Sequence, residues 1–229
     1  MIKSLKNLFL FLCVTHLIGF ANAQDIDFSK SIFAVVTKKK GFASLFAHEH
    51  LIIAPKGISS LNFVWGDPSS ITYEVEFQTE DLIIDDNQQR STLSPLIQNL
   101  DILEENLSSI GKSDSRAIRK SMLSRDQLDV FSYPTIKARL HHITKNLRPN
   151  MIGNEQFNYT GKFEITIKNK TVFKDVSFQV AFTDTTLEIT AVQKLNFTDF
   201  GITPYSAFFG AVKVSNEFVL LVKAQTIPN

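Results

Sequence analysis

From Ile71 onward the chain alternates Ile71, Tyr73, Val75 and Phe77 with Thr72, Glu74, Glu76 and Gln78. That period of two marks a β-strand with one buried and one wet face. It returns at Phe157, Tyr159, Gly161, Phe163, Ile165 and Ile167, and again at Val176, Phe178, Val180 and Phe182. Leu187, Ile189 and Ala191 repeat it, and a last strand runs through Val212, Val214, Phe218, Leu220 and Val222. Further strands are predicted at residues 26–37, 44–54, 57–65 and 136–143. Breakers such as Gly41, Pro55-Lys56-Gly57, Gly66-Asp67-Pro68 and Asn169 separate them. The pattern predicts about nine strands.

One segment departs from it. Between Ser94 and Leu128, apolar residues fall at helical spacing: Leu96, Ile97, Leu100, Leu103 and Leu107, then Ile118 and Met122. Two helices are predicted, the second over residues 116–123 behind a Ser113-Asp114-Ser115 N-cap. They would plug or flank one end of the sheet. Tyr133-Pro134 then forces an extended entry into the next strand. Many antiparallel strands with one apolar face must close on themselves to hide their edges. The fold expected is therefore all-β, an eight- or nine-stranded antiparallel barrel with a short helical insertion. Such a barrel either encloses one slender ligand or is filled by its own side chains.

The ends change the picture of where the chain works. Lys3 and Lys6, the apolar run from Leu8 to Phe20, and Ala21-Asn22-Ala23 form a signal peptide with a cleavage site. Residues 1–23 are expected to be removed, leaving 24–229 as one domain that is periplasmic or secreted. The single cysteine, Cys13, lies in the leader, so no disulfide is expected. Without Lys3 and Lys6 the 24 Lys and Arg fall to 22 against 23 Asp and Glu, a charge of −1. That balance provides no basic field for nucleic acid. No segment of the mature chain is apolar for long enough to insert stably in a membrane.

Candidate chemistry is sparse. Gly-x-Ser-x-Gly, a Gly-rich phosphate loop and His-Glu-x-x-His are all missing from the sequence, so no catalytic residue and no cofactor is assigned. His48 and His50 are two apart on a predicted strand and should face the same side. A third donor there would complete a zinc site, but Glu49 points the other way, and only one of the adjacent His141 and His142 could join. The pair is read as hydrogen-bonding residues, structural or at a polar mouth, with no metal ligand assigned. A metal-assisted enzyme using His48 and His50 stays open as an alternative. So does a filled barrel acting through its outer surface.

Three segments together resemble the YceI-like family of exported polyisoprenoid-binding proteins. They are Ser44-Leu45-Phe46-Ala47-His48-Glu49-His50-Leu51, then Leu128-Asp129-Val130-Phe131-Ser132-Tyr133-Pro134-Thr135-Ile136, and finally Thr198-Asp199-Phe200-Gly201-Ile202-Thr203-Pro204 with Gly210-Ala211-Val212-Lys213-Val214. The resemblance implies a lipocalin-like barrel with a long apolar tunnel, a long-chain isoprenoid or related lipid as partner, and binding rather than catalysis. On that reading Phe77, Phe157, Tyr159, Phe163, Phe178, Val180 and Phe182 are expected to form the tunnel wall, and His48 and His50 its polar mouth. The lipid's identity and the oligomeric state, a homodimer among the options, are not specified by the sequence.

Overall fold

The computed structural model describes residues 22–40, 48–207, 209 and 211–228. In chain order the strands begin with β1 (Asn22–Gln24), β2 (Ile32–Lys40), β3 (Leu51–Ile53), β4 (Ile58–Val64), β5 (Asp67–Gln78) and β6 (Ile83–Ile84). Helices α1 (Asn87–Asn99) and α2 (Lys112–Leu123) follow. The second series is β7 (Thr135–Ile152), β8 (Glu155–Ile167), β9 (Lys170–Phe182), β10 (Leu187–Asn196), β11 (Ser206–Ala207) and β12 (Val212–Gln225). One antiparallel sheet contains them all in the order β1-β4-β5-β7-β8-β9-β10-β12-β2-β3-β6, with β11 beside β12.

The sheet rolls into a barrel because of where its edges lie. Only residues 54–57 separate β3 near one edge from β4 near the other, so the two edges must meet. The crossing is tight. A Cβ on Gly57 would sit 2.8 Å from the Glu76 carbonyl oxygen and 2.9 Å from the Phe77 ring. Aromatic rings pack across the interior: Phe33 of β2 lies 5.2 Å from Phe77 of β5, and Phe63 of β4 lies 6.1 Å from Phe182 of β9. The expected all-β antiparallel barrel with a helical insertion is observed. The strand count is corrected: eight long strands build the barrel, and the fragments β1, β3, β6 and β11 raise the total among the described residues to twelve.

Local differences from the sequence reading have local causes. The strand expected over 44–54 is confined to β3, and residues 44–47 lie outside those described. Helix α1 begins at Asn87 because the Asp86 carboxylate accepts the Gln89 N–H at 2.9 Å and caps the first turn. Helix α2 starts at Lys112, ahead of the expected cap, and the Ser115 hydroxyl donates to the Ile84 carbonyl instead, at 2.7 Å. The expected signal-peptide cleavage falls inside β1, and residues 1–21 lie outside those described.

Two apolar cores result. The larger fills the barrel, where Leu61, Phe63, Tyr73, Phe77, Phe163 and Phe178 are buried. The second lies outside the barrel wall. There Leu93, Ile97 and Leu100 of the α1 region pack on Ala34, Val36, Val219 and Leu221. Hence β2 and the segment Phe218-Val219-Leu220-Leu221-Val222 are apolar on both faces: one side meets the lumen, the other α1.

Candidate binding tunnel and its polar lip

The lumen is not filled. Two cavities, of about 310 and about 130 Å³, lie end to end and share Val35, Ile52, Leu82, Ile136, Ile167 and Phe218 in their walls. Their combined size falls within the ~300–1,000 Å³ of small-molecule sites. The outer chamber opens between α2, through Ile118 and Met122, and the turn bearing Ile202, Pro204 and Tyr205. The helical insertion thus forms one side of the mouth. The deeper chamber is enclosed by Phe33, Tyr73, Phe77, Phe163, Val176 and Ile189, among others. Beyond it the barrel is packed shut around Gly161, where a Cβ would come within 2.8 Å of Leu140 and 3.1 Å of the Phe178 ring.

The seven residues expected to form the wall have different places. Phe77 and Phe163 line the deeper chamber. Phe178 is wholly buried and stacks on Tyr159 at 5.8 Å, in the packed part of the barrel. Val180 is buried in the same core, and Phe182 packs on Phe63 and on Trp65, at 5.4 Å from the latter. Phe157 belongs to the outer core with Ile97 and Leu100. A bulge in β7 between Lys145 and Asn150 lets the β7–β8 hairpin run on to α1, where the Asn154 N–H donates to the Asn99 carbonyl at 2.9 Å.

The outer chamber carries the polar side chains of Thr37, His50, Ser121, Gln127 and Tyr205 in its wall. His50 lies on its wall just before β3, with Thr37 as its neighbour on β2. The His50 N–H donates to Thr37 Oγ1 at 3.1 Å, and the Thr37 N–H donates to the His50 carbonyl at 2.9 Å. The His50 Nδ1 is 2.7 Å from Asp85 Oδ2. Asp85 Oδ1 accepts the Leu51 N–H at 2.9 Å and a bond from Arg90 Nη1. Arg90, on α1, is only 1% exposed and Asp85 3%. Arg90 also donates to the Ser108 carbonyl at 2.7 Å and the Glu49 carbonyl at 3.0 Å. One buried ion pair therefore ties β3, α1 and the interhelical loop together behind the imidazole.

His48 takes a different direction: it is exposed and lies 3.5 Å from the Ser108 hydroxyl. The two histidines precede β3 rather than share a strand face, so the period-two argument does not apply to them. His141 and His142 lie on β7, where His141 pairs with Glu164 at 2.7 Å. Among the described residues no group of three or more His, Cys, Asp or Glu side chains converges to hold a metal ion. Asp85 and Arg90 were missed by sequence reasoning. A usable signal existed: Arg90 precedes Leu93 and Ile97 by three and seven residues, on the buried face of α1.

Deeper in, the Tyr73 hydroxyl is buried without a hydrogen-bond partner among the described residues. Burial raises its pKa above the ordinary tyrosine range, because the phenolate would lose its water.

A rolled antiparallel sheet around one apolar tunnel defines a small-ligand-binding barrel. Residues 61–226, well over half of the chain, match the YceI-like domain, and the protein belongs to that family. The fold is also similar to that of BcnA from Burkholderia cenocepacia. The TM-score is 0.59 at 14% identity, over 89% of this chain and all of that one. A YceI protein from Campylobacter jejuni is less similar, with a TM-score of 0.43, 11% identity, and 76% and 82% of the two chains covered. No curated protein matches the chain in sequence. No helix among the described residues is long and apolar enough to cross a membrane.

Proposed function

We propose that the barrel binds, stores or carries a single long-chain isoprenoid or similar apolar lipid, without chemical change, in the periplasm or outside the cell. The observation that carries this reading is the pair of joined chambers, whose exposed lining among the described residues is almost wholly apolar. Each tail carbon moved from water into such a tunnel gains about 0.8 kcal/mol. Tight binding then needs little polar recognition. Phe77 and Phe163 are the wall residues, with Tyr159, Phe178, Val180 and Phe182 as the packing that closes the far end. His50 and the more exposed His48 form the polar mouth. Family membership and the likeness of fold support the reading.

The test is displacement of a fluorescent apolar probe from purified, delipidated protein by geranylgeraniol. Saturable displacement at one site per chain is expected. Absence of any saturable site in folded protein would refute the carrier function. The export part of the proposal is checked separately by intact mass of the mature protein, which should begin at Gln24.

A further inference from the structure

Resting on the carrier reading, we propose that His50, held by Asp85 and Arg90 and flanked by Thr37, is a site for a hydroxyl group on the polar end of the bound lipid. A carboxylate accepts hydrogen bonds but cannot donate them. The 2.7 Å contact between His50 Nδ1 and Asp85 Oδ2 therefore places the ring hydrogen on Nδ1. A neutral imidazole held this way turns a bare acceptor, Nε2, away from the carboxylate, and the ring lies on the wall of the outer chamber. Beside it, Thr37 Oγ1 accepts the His50 N–H, and its own hydrogen has no acceptor among the described residues. One acceptor and one donor on the wall of the same chamber suit a group that both donates and accepts. An alcohol or phenol does so, whereas an ether, ketone or hydrocarbon end does not.

The cost of the arrangement points the same way. A buried Asp–Arg pair contributes little to stability compared with apolar residues of similar volume. Here Asp85 and Arg90 hold one imidazole in one tautomer at the only mouth seen among the described residues, as outer hydrogen-bond partners do for ligand-binding histidines elsewhere. Asp85 even occupies the left-handed region, with φ of 54°, so that its N–H bonds Leu51 while its carboxylate faces His50.

The experiment compares geranylgeraniol with its methyl ether, which has the same tail but no hydroxyl hydrogen. Both are titrated against the intact wild-type chain and against His50→Phe and His50→Gln. Wild type should prefer the alcohol by roughly two- to twelvefold, the span of one net hydrogen bond. His50→Phe should bind both equally, whatever its absolute affinity, because the group that distinguishes them is gone. Equal binding of alcohol and ether by wild type would overturn the hydroxyl site and leave the carrier reading standing. So would a preference that survives in His50→Phe with native circular dichroism. Failure of wild type to bind either compound would overturn the carrier reading itself. Two variants are used because His50→Gln, which keeps polar groups at the lip, separates loss of the acceptor from disturbance of β3. It should show at most a reduced preference.

Discussion

Replacing Ala191 by leucine should stabilise the empty protein and weaken lipid binding at the same time. Ala191 is on β10, opposite Phe178 of β9 and Val222 of β12, and it lines the deeper chamber of about 130 Å³. Leucine adds three carbons where the structure shows open space. At about 0.8 kcal/mol per buried carbon the gain is at most ~2.4 kcal/mol. Loss of leucine rotamer freedom takes back ~0.5–1 kcal/mol, leaving about 1.5 kcal/mol. The same three carbons of lipid tail lose their place, which costs about 2.4 kcal/mol, or roughly fiftyfold in Kd. Urea unfolding of delipidated protein measures the first effect and probe displacement the second. A variant destabilised by ~1–3 kcal/mol would show that the chamber is filled core. A stabilised variant with unchanged affinity would show that the tail does not reach Ala191.

Phe163→Asp puts a carboxylate against the tail in the deeper chamber, and burying an unpaired charge costs several kcal/mol. Lipid retention should fall at least a hundredfold while circular dichroism still reports a barrel; retained lipid would place the tail elsewhere. Arg90→Met leaves the buried Asp85 without its cation and should lower the unfolding free energy by about 3–5 kcal/mol. A loss below ~1 kcal/mol would mean that water reaches the pair. Tyr73→Phe removes a buried hydroxyl with no partner and should raise stability by about 1 kcal/mol at neutral pH. Because burial raises the Tyr73 pKa, the unfolded chain loses that proton near pH 10 while the folded chain keeps it. Stability of wild type therefore falls as pH rises through that range, and the advantage of Tyr73→Phe should widen there. Parallel pH profiles for the two proteins would contradict this.

The alternation at 71–78 and at 157–167 was enough to read an antiparallel barrel, because period two reports which face is buried. It does not report depth along the barrel axis. Phe163 and Phe178 both stand on inward registers, yet one lines the chamber and the other closes the end, where Gly161 lets Leu140 and Phe178 pack close. Nor does alternation separate a lumen from a second core. Phe157 continues the register of Tyr159 and Phe163, but it is covered by the α1 region. The lip shows the same limit in polar residues. His50 stood out in the sequence, whereas its partner Asp85 lies 35 residues away and shares no motif with it. Only the meeting of β3, β6 and α1 brings them together. The helical insertion was legible from its spacing, but its position over the mouth depends on which end of the barrel stays unfilled.

Native mass spectrometry of the protein, purified gently from the cells that make it, tests the carrier reading most directly. One apolar adduct per chain should be seen, and organic extraction should release it as an intact long-chain lipid. Finding the extracted lipid with a free hydroxyl would further favour the His50 site. Protein that is folded, carries no adduct, and takes up none when mixed with polyprenyl lipids would contradict a lipid-carrying barrel.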